Sequence, residues 1–101
     1  MTFGYKIIEL EKRKRTEDDL STEVDGALNH REDLYEEILS SNGEDIYLCL
    51  TSDVAIRVSQ DPGIVGQVWM YTKEQAKANS AAEVLREAIK VKKLGLEAIP
   101  D

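Results

Sequence analysis

The chain has 101 residues and a formal net charge of −7, with 42% apolar and 33% charged residues. That length holds one domain, residues 1–101, with an apolar share too high for a disordered chain and a charge density too high for a membrane protein. The longest apolar runs, Ile46 to Leu50 and Val68 to Tyr71, fall far short of the ~20 residues a spanning helix needs, so no membrane contact is expected.

The first segment, Phe3 to Leu10, is rich in β-formers on both parities and predicts a strand partly buried on both faces. Lys12-Arg13-Lys14-Arg15 ends it. Thr16 opens a helix signal, with Asp19 at the capping-box position and Glu17, Asp18 and Asp19 suited to the positive end of the helix dipole. Leu20, Val24, Ala27 and Leu28 follow one helical face, and Leu34, Tyr35, Ile38 and Leu39 extend the same spacing. Asp25-Gly26 interrupts the pattern, and Asn29 with Glu32 offers a second box. Residues 16–41 therefore read as a kinked helix or two helices, the second from about residue 30, closed by Asn42-Gly43 as a left-handed cap.

Three alternating segments come next. Ile46, Leu48 and Leu50 alternate with Tyr47 and Cys49; Val54, Ile56 and Val58 with Ala55 and Arg57; and Val65, Gln67, Trp69 and Tyr71 with Val68 and Met70. The turn signals Thr51-Ser52-Asp53 and Asp61-Pro62-Gly63 join them into an antiparallel meander. Thr72 with Gln75, then Ser80 with Glu83, are two further box spacings. They allow a break near Asn79-Ser80 before a helix that buries Ala81, Val84, Leu85, Ala88, Ile89 and Leu94 and stops at Gly95. Leu96, Ala98 and Ile99 make a last strand. The expected fold is α+β: two helical segments on one face of a four- or five-stranded mixed, mainly antiparallel sheet. A ferredoxin-like split βαβ topology leads, with the last helix crossing back to set its strand beside residues 65–71.

The charge is unevenly spread. Residues 1–15 carry +3, residues 16–53 carry −11 with Arg31 as the single base, and residues 54–101 carry +1. Such a field attracts cations or basic partners and repels nucleic acid and anionic lipid. Direct nucleic-acid binding is therefore disfavoured, although Trp69 and Tyr71 on one strand face are the kind of aromatic pair that stacks bases. The lone Cys49 forbids an internal disulfide or a thiolate cluster, and the charged opening Met1 to Glu9 is unlike a secretory leader, so a cytoplasmic location is expected.

His30 and Cys49 are the only histidine and thiol. The first falls at an expected helix start and the second in mid-strand, where cysteines are usually buried and inert. The phosphate-cradling glycine loops and the EF-hand loop are absent, so the chain leans away from an enzyme. On the expected second helix, Glu32–Glu36 and Asp33–Glu37 stand at i,i+4, where like charges repel by a few tenths of a kcal/mol. The leading expectation is a non-enzymatic interaction or regulatory module presenting Glu32, Asp33, Glu36 and Glu37 on an acidic helix face to a basic protein partner. The alternative is a calcium or magnesium site, or a small-ligand domain, using Asp18, Asp19, Glu32 and Glu36 with help from Glu44 or Asp45, since these cations take oxygen ligands. The face bearing Trp69 and Tyr71, or a strand edge, is a place where two copies would pair.

The run Val54 to Val68 resembles the opening of an ACT regulatory domain, where a strand leads through an Asp-x-Pro-Gly-type turn into a helix. The β-rich Trp69-Met70-Tyr71 departs from that family directly afterwards. Amino-acid binding is therefore not carried over, and a hairpin turn accounts for Asp61-Pro62-Gly63.

Overall fold

The computed structural model describes residues 2–11, 15–41, 44–59 and 65–100. In chain order these form β1 (Thr2–Glu9), α1 (Glu17–Asn29), β2 (Tyr35–Ser41), β3 (Glu44–Cys49), β4 (Val54–Ser59), β5 (Gln67–Tyr71), α2 (Gln75–Ile89), a short 3₁₀ turn (Lys90–Lys92) and β6 (Leu94–Ala98). The strands make one sheet of six in the order β2-β3-β4-β5-β1-β6, and every neighbouring pair is antiparallel.

The capping box at Thr16 forms as its spacing predicts. The Asp19 amide donates to Thr16 Oγ1 at 3.1 Å, and the Thr16 amide donates to Asp19 Oδ2 at 3.2 Å. Leu20, Val24, Ala27 and Leu28 are buried, as the periodicity requires. Ser21, buried beside them, accepts the Gly66 amide at 2.8 Å, and the Gly66 carbonyl accepts from Ile7 at 2.9 Å. Gly66 has φ +80 and a β-carbon there would sit 3.1 Å from Glu17 Cβ, so a glycine is needed on both counts.

The helix ends at Asn29, and the expected second helix is instead a turn followed by β2. Leu34, Tyr35, Ile38 and Leu39 suit a helix, but that helix would stack Glu32 over Glu36 and Asp33 over Glu37. The strand places Glu36 and Glu37 on opposite sides of the sheet. It gains a ladder from Tyr35↔Cys49 to Ser41↔Glu44, interrupted between Glu37 and Leu39 by a bulge. This added strand raises the expected four or five to six and makes the meander four strands long, β2 through β5.

A second departure concerns β1, which pairs with both β5 and β6. The last strand therefore lies beside β1 rather than beside residues 65–71. The two parallel strands β5 and β6, joined through α2 with β1 between them, keep one split βαβ unit, but the whole is an open antiparallel sheet rather than the mixed, ferredoxin-like one. The stretch resembling an ACT domain is part of neighbouring antiparallel strands β4 and β5. The Asp61-Pro62-Gly63 and Asn42-Gly43 signals lie outside the described residues.

The helix α2 is unbroken through Asn79-Ser80, where Ser80 Oγ lies 3.1 Å from Ser52 Oγ. Its N-cap is Glu74 without a side-chain bond; Thr72 Oγ1 accepts only the Glu74 amide. Lys93 at φ 60, not Gly95, closes its C-terminal turn, and Leu94, expected on the helix, belongs with Gly95 to β6.

Both helices cover the same face of the sheet. Tyr5, Ile7, Tyr47, Ile56, Val68 and Met70 point at them and join Val24, Leu28, Leu85 and Ile89 in a single core. The other face carries no helix among the described residues. No helix among the described residues is long and apolar enough to cross a membrane.

Candidate functional site

The acids of residues 16–53 gather where the end of α1 meets the β2–β3 hairpin. Tyr47 and Asp45 share the helix-facing parity of β3, and Glu37 is the register partner of Tyr47 on β2. From α1, Asp25 reaches the same spot, where its carboxylate accepts a short hydrogen bond from the Tyr47 hydroxyl. One carboxylate oxygen each from Asp25, Glu37 and Asp45 lies within 4.8 Å of the others.

That crowding has electrostatic consequences. Burial pushes the Asp25 carboxyl from 3.8 up to about 6, and the Asp45 and Glu37 charges add to the rise while the bond from Tyr47 opposes it. Burial and the Asp25 carboxylate also raise the Tyr47 hydroxyl far above its ordinary value, so Tyr47 stays a donor. Three oxygens this close have two simple chemistries. They can share a proton, or they can hold a hard cation, because ligands 2.3–2.6 Å from one ion lie no more than about 5 Å apart.

Next to the cluster runs a groove of about 490 Å³, lined by Leu28, Asn29, Glu32, Tyr35, Glu36, Glu37, Tyr47 and Leu50. Its apolar members come from the end of α1 and from both strands of the hairpin, and its acids from the turn and β2. Tyr35 is 4% exposed, and its hydroxyl has no hydrogen-bond partner among the described residues. Burial holds that hydroxyl well above its ordinary pKa, with Cys49 adding to the rise.

Of the four acids expected on one helix face, Glu32, Glu36 and Glu37 line this groove. Asp33 is turned into a two-pronged pair with Arg31, Nε to Oδ1 and Nη2 to Oδ2 at 3.0 Å each, and that guanidinium holds it below the usual carboxylate range. The expected cation set is not brought together. Asp18 and Asp19 sit in the first turn of α1, and Glu32 follows its last, with roughly 15 Å of helix between them. Glu36 lies on β2, and Glu44 is committed to Arg57 Nε at 2.8 Å. Asp45, expected as a helper, does join a cluster, but with Asp25 and Glu37.

Asp25 was legible only as a helix interruption, and Tyr47 only as a strand aromatic; nothing local in the sequence ties either to residues 37 and 45. His30 caps the end of α1, not the start of a helix, and is exposed; Cys49 is buried and free. Comparison with protein-family models, with curated proteins and with solved structures finds no match to this chain.

Proposed function

We propose that this protein is a non-enzymatic interaction module whose acid-rimmed groove receives a basic segment of a protein partner. The observation that carries this reading is the joining of Glu32, Glu36 and Glu37 with Leu28, Tyr35, Tyr47 and Leu50 around one groove. Lysine and arginine side chains have the complementary form, an apolar stem and a charged, donor-rich head. The orphaned Tyr35 hydroxyl supports the same view, since a buried polar group without a partner costs about 1–3 kcal/mol. A cytoplasmic setting is part of the same proposal, and the buried, free Cys49 is consistent with it.

The test is calorimetric titration with an arginine- and lysine-rich peptide at graded salt. Binding weakens steeply with salt, because exposed charges are screened within ~8 Å at physiological ionic strength. Replacing Glu32, Glu36 and Glu37 together by Gln removes it. Binding indifferent to salt, or unchanged in the triple variant, would sink the reading. Tyr35→Phe is expected to stabilise the free protein by about 1 kcal/mol.

A second reading is favoured by the carboxylate geometry. Asp25, Glu37 and Asp45 are spaced for one calcium or magnesium ion. Melting in EDTA and then with each cation at fixed ionic strength separates the two readings. A ligand at 100 times its dissociation constant adds ~2.7 kcal/mol, which moves the midpoint of so small a domain by roughly ten degrees or more. An unmoved midpoint discards the cation.

A further inference from the structure

The bare face of an antiparallel sheet is ordinarily polar. Here it is crossed by apolar side chains. Ile46 and Leu48 share the outward parity of β3, and register carries that face to Leu39 on β2 and to Trp69 and Tyr71 on β5. Leu39 and Tyr71 are 44% and 40% exposed, and Ile46, Leu48 and Trp69 are half-buried. The indole of Trp69 lies flat over Gly4, since a β-carbon at Gly4 would meet its ring carbons at 2.6–2.8 Å. An apolar patch on this scale marks a contact surface.

The charges on this face differ from those of the groove. Glu36, Glu44 and Glu97 stand with Arg57 and Lys6 on this face, a net charge of about −1, where the helix side of the hairpin gathers Asp25, Glu37 and Asp45 without a base among them. A basic partner is therefore not what it fits.

We infer that this face pairs two copies of the chain, sheet against sheet, about a two-fold axis parallel to the strands between β4 and β5. The strand order supplies the argument. That axis sets β4 over β5, β3 over β1 and β2 over β6 of the second copy. Register then places Lys6 over Glu44, Glu97 over Ser41, Arg57 over Trp69, and Ile46 over Gly4, where it meets the indole that covers that glycine. Charges of opposite sign meet, a guanidinium meets an aromatic face, and the contact is isologous, so it closes at two. Asp25, Glu37 and Asp45 face the helix side, so the acid clusters of the two copies stay on the outside, beyond the screening length.

Size sets the strength. Six strands ~4.8 Å apart and ~17–20 Å long give a footprint of roughly 500 Å² per copy. The total lies near the ~1,000 Å² floor for specific complexes, so both monomer and dimer are populated across micromolar concentrations.

Trp69 is the only tryptophan and reports directly. The experiment is sedimentation and Trp69 emission from nanomolar to high-micromolar chain. The expected result is a mass rising from one chain to two, with emission moving to the blue in step. Lys6→Glu sets like charges against Glu44 and raises the dissociation constant ~tenfold or more; Leu48→Lys does the same through the apolar patch. Mixing Lys6→Glu with Glu44→Lys chains, each checked for its own melt, restores a two-chain species. A chain that stays monomeric with unmoved emission overturns the inference and leaves the face to another protein. Growth past two chains overturns it in favour of edge-to-edge pairing. A dimer indifferent to both Lys6→Glu and Leu48→Lys overturns it as well.

Discussion

Along β2 and β3, residues alternate between two faces of opposite chemistry. Toward the helices stand Glu37, Asp45 and Tyr47, joined by Asp25 from α1. Away from them stand Leu39, Ile46 and Leu48, with no helix over them. Tyr35 and Cys49 keep the usual order, apolar under the helices and Glu36 outward, but at Glu37, Asp45, Leu39 and Ile46 it is reversed. Glu37 is exposed and Asp25 and Asp45 are only half-buried, so these carboxylates keep partial access to water. The outward apolar residues have no such account within one copy, which is why they point to a partner. Charge and apolar surface thus mark two different contacts on opposite sides of the same hairpin.

Leu28→Ala separates the two sides most forcefully. Leu28 is 1% exposed and lines the groove, so the cavity left behind costs about 2–5 kcal/mol. Denaturant titration measures that loss, and Trp69 emission at a concentration where folding is complete should not move, because the bare face is untouched. Tyr47→Phe is smaller. It strips the donor from Asp25 and costs about 1–2 kcal/mol, read as a shift of the urea midpoint at constant slope.

Gly4→Ala probes the other side. The added carbon meets the Trp69 ring, the indole swings off, and stability falls by about 1 kcal/mol with a red shift in emission. Calorimetric binding of a basic peptide in the groove is expected to be unchanged.

The finest probe is pH. The Asp25 carboxyl is raised from 3.8 to about 6 on folding, so between those values the folded state holds more proton than the unfolded one. Stability from this group is full below pH 3.8 and is lost as the pH rises through 6. Asp25→Asn is expected to flatten that decline in the melting midpoint. Retention of the full slope in the variant would assign it to other carboxyls.

The sequence by itself determined what short-range energies decide. The Thr16–Asp19 box, the buried stripe Leu20-Val24-Ala27-Leu28, the alternation of the meander and the face of the last helix are all legible, because capping and periodicity act within a few residues. The concentration of acid in residues 16–53 was equally plain, and three of the four acids chosen from it share the groove. Only the tertiary structure decided the rest. Residues 35–41 fit a helix by spacing, and became a strand because β3 offered a ladder and a helix would have stacked like charges. Either parity of β3 is apolar enough to be buried; pairing with Val54 and Ile56 turned Tyr47 and Cys49 inward and left Ile46 and Leu48 outside. The cluster of Asp25, Glu37 and Asp45 draws one residue from each of three elements. Its members become neighbours only through long-range packing, whose energy no local window of sequence contains.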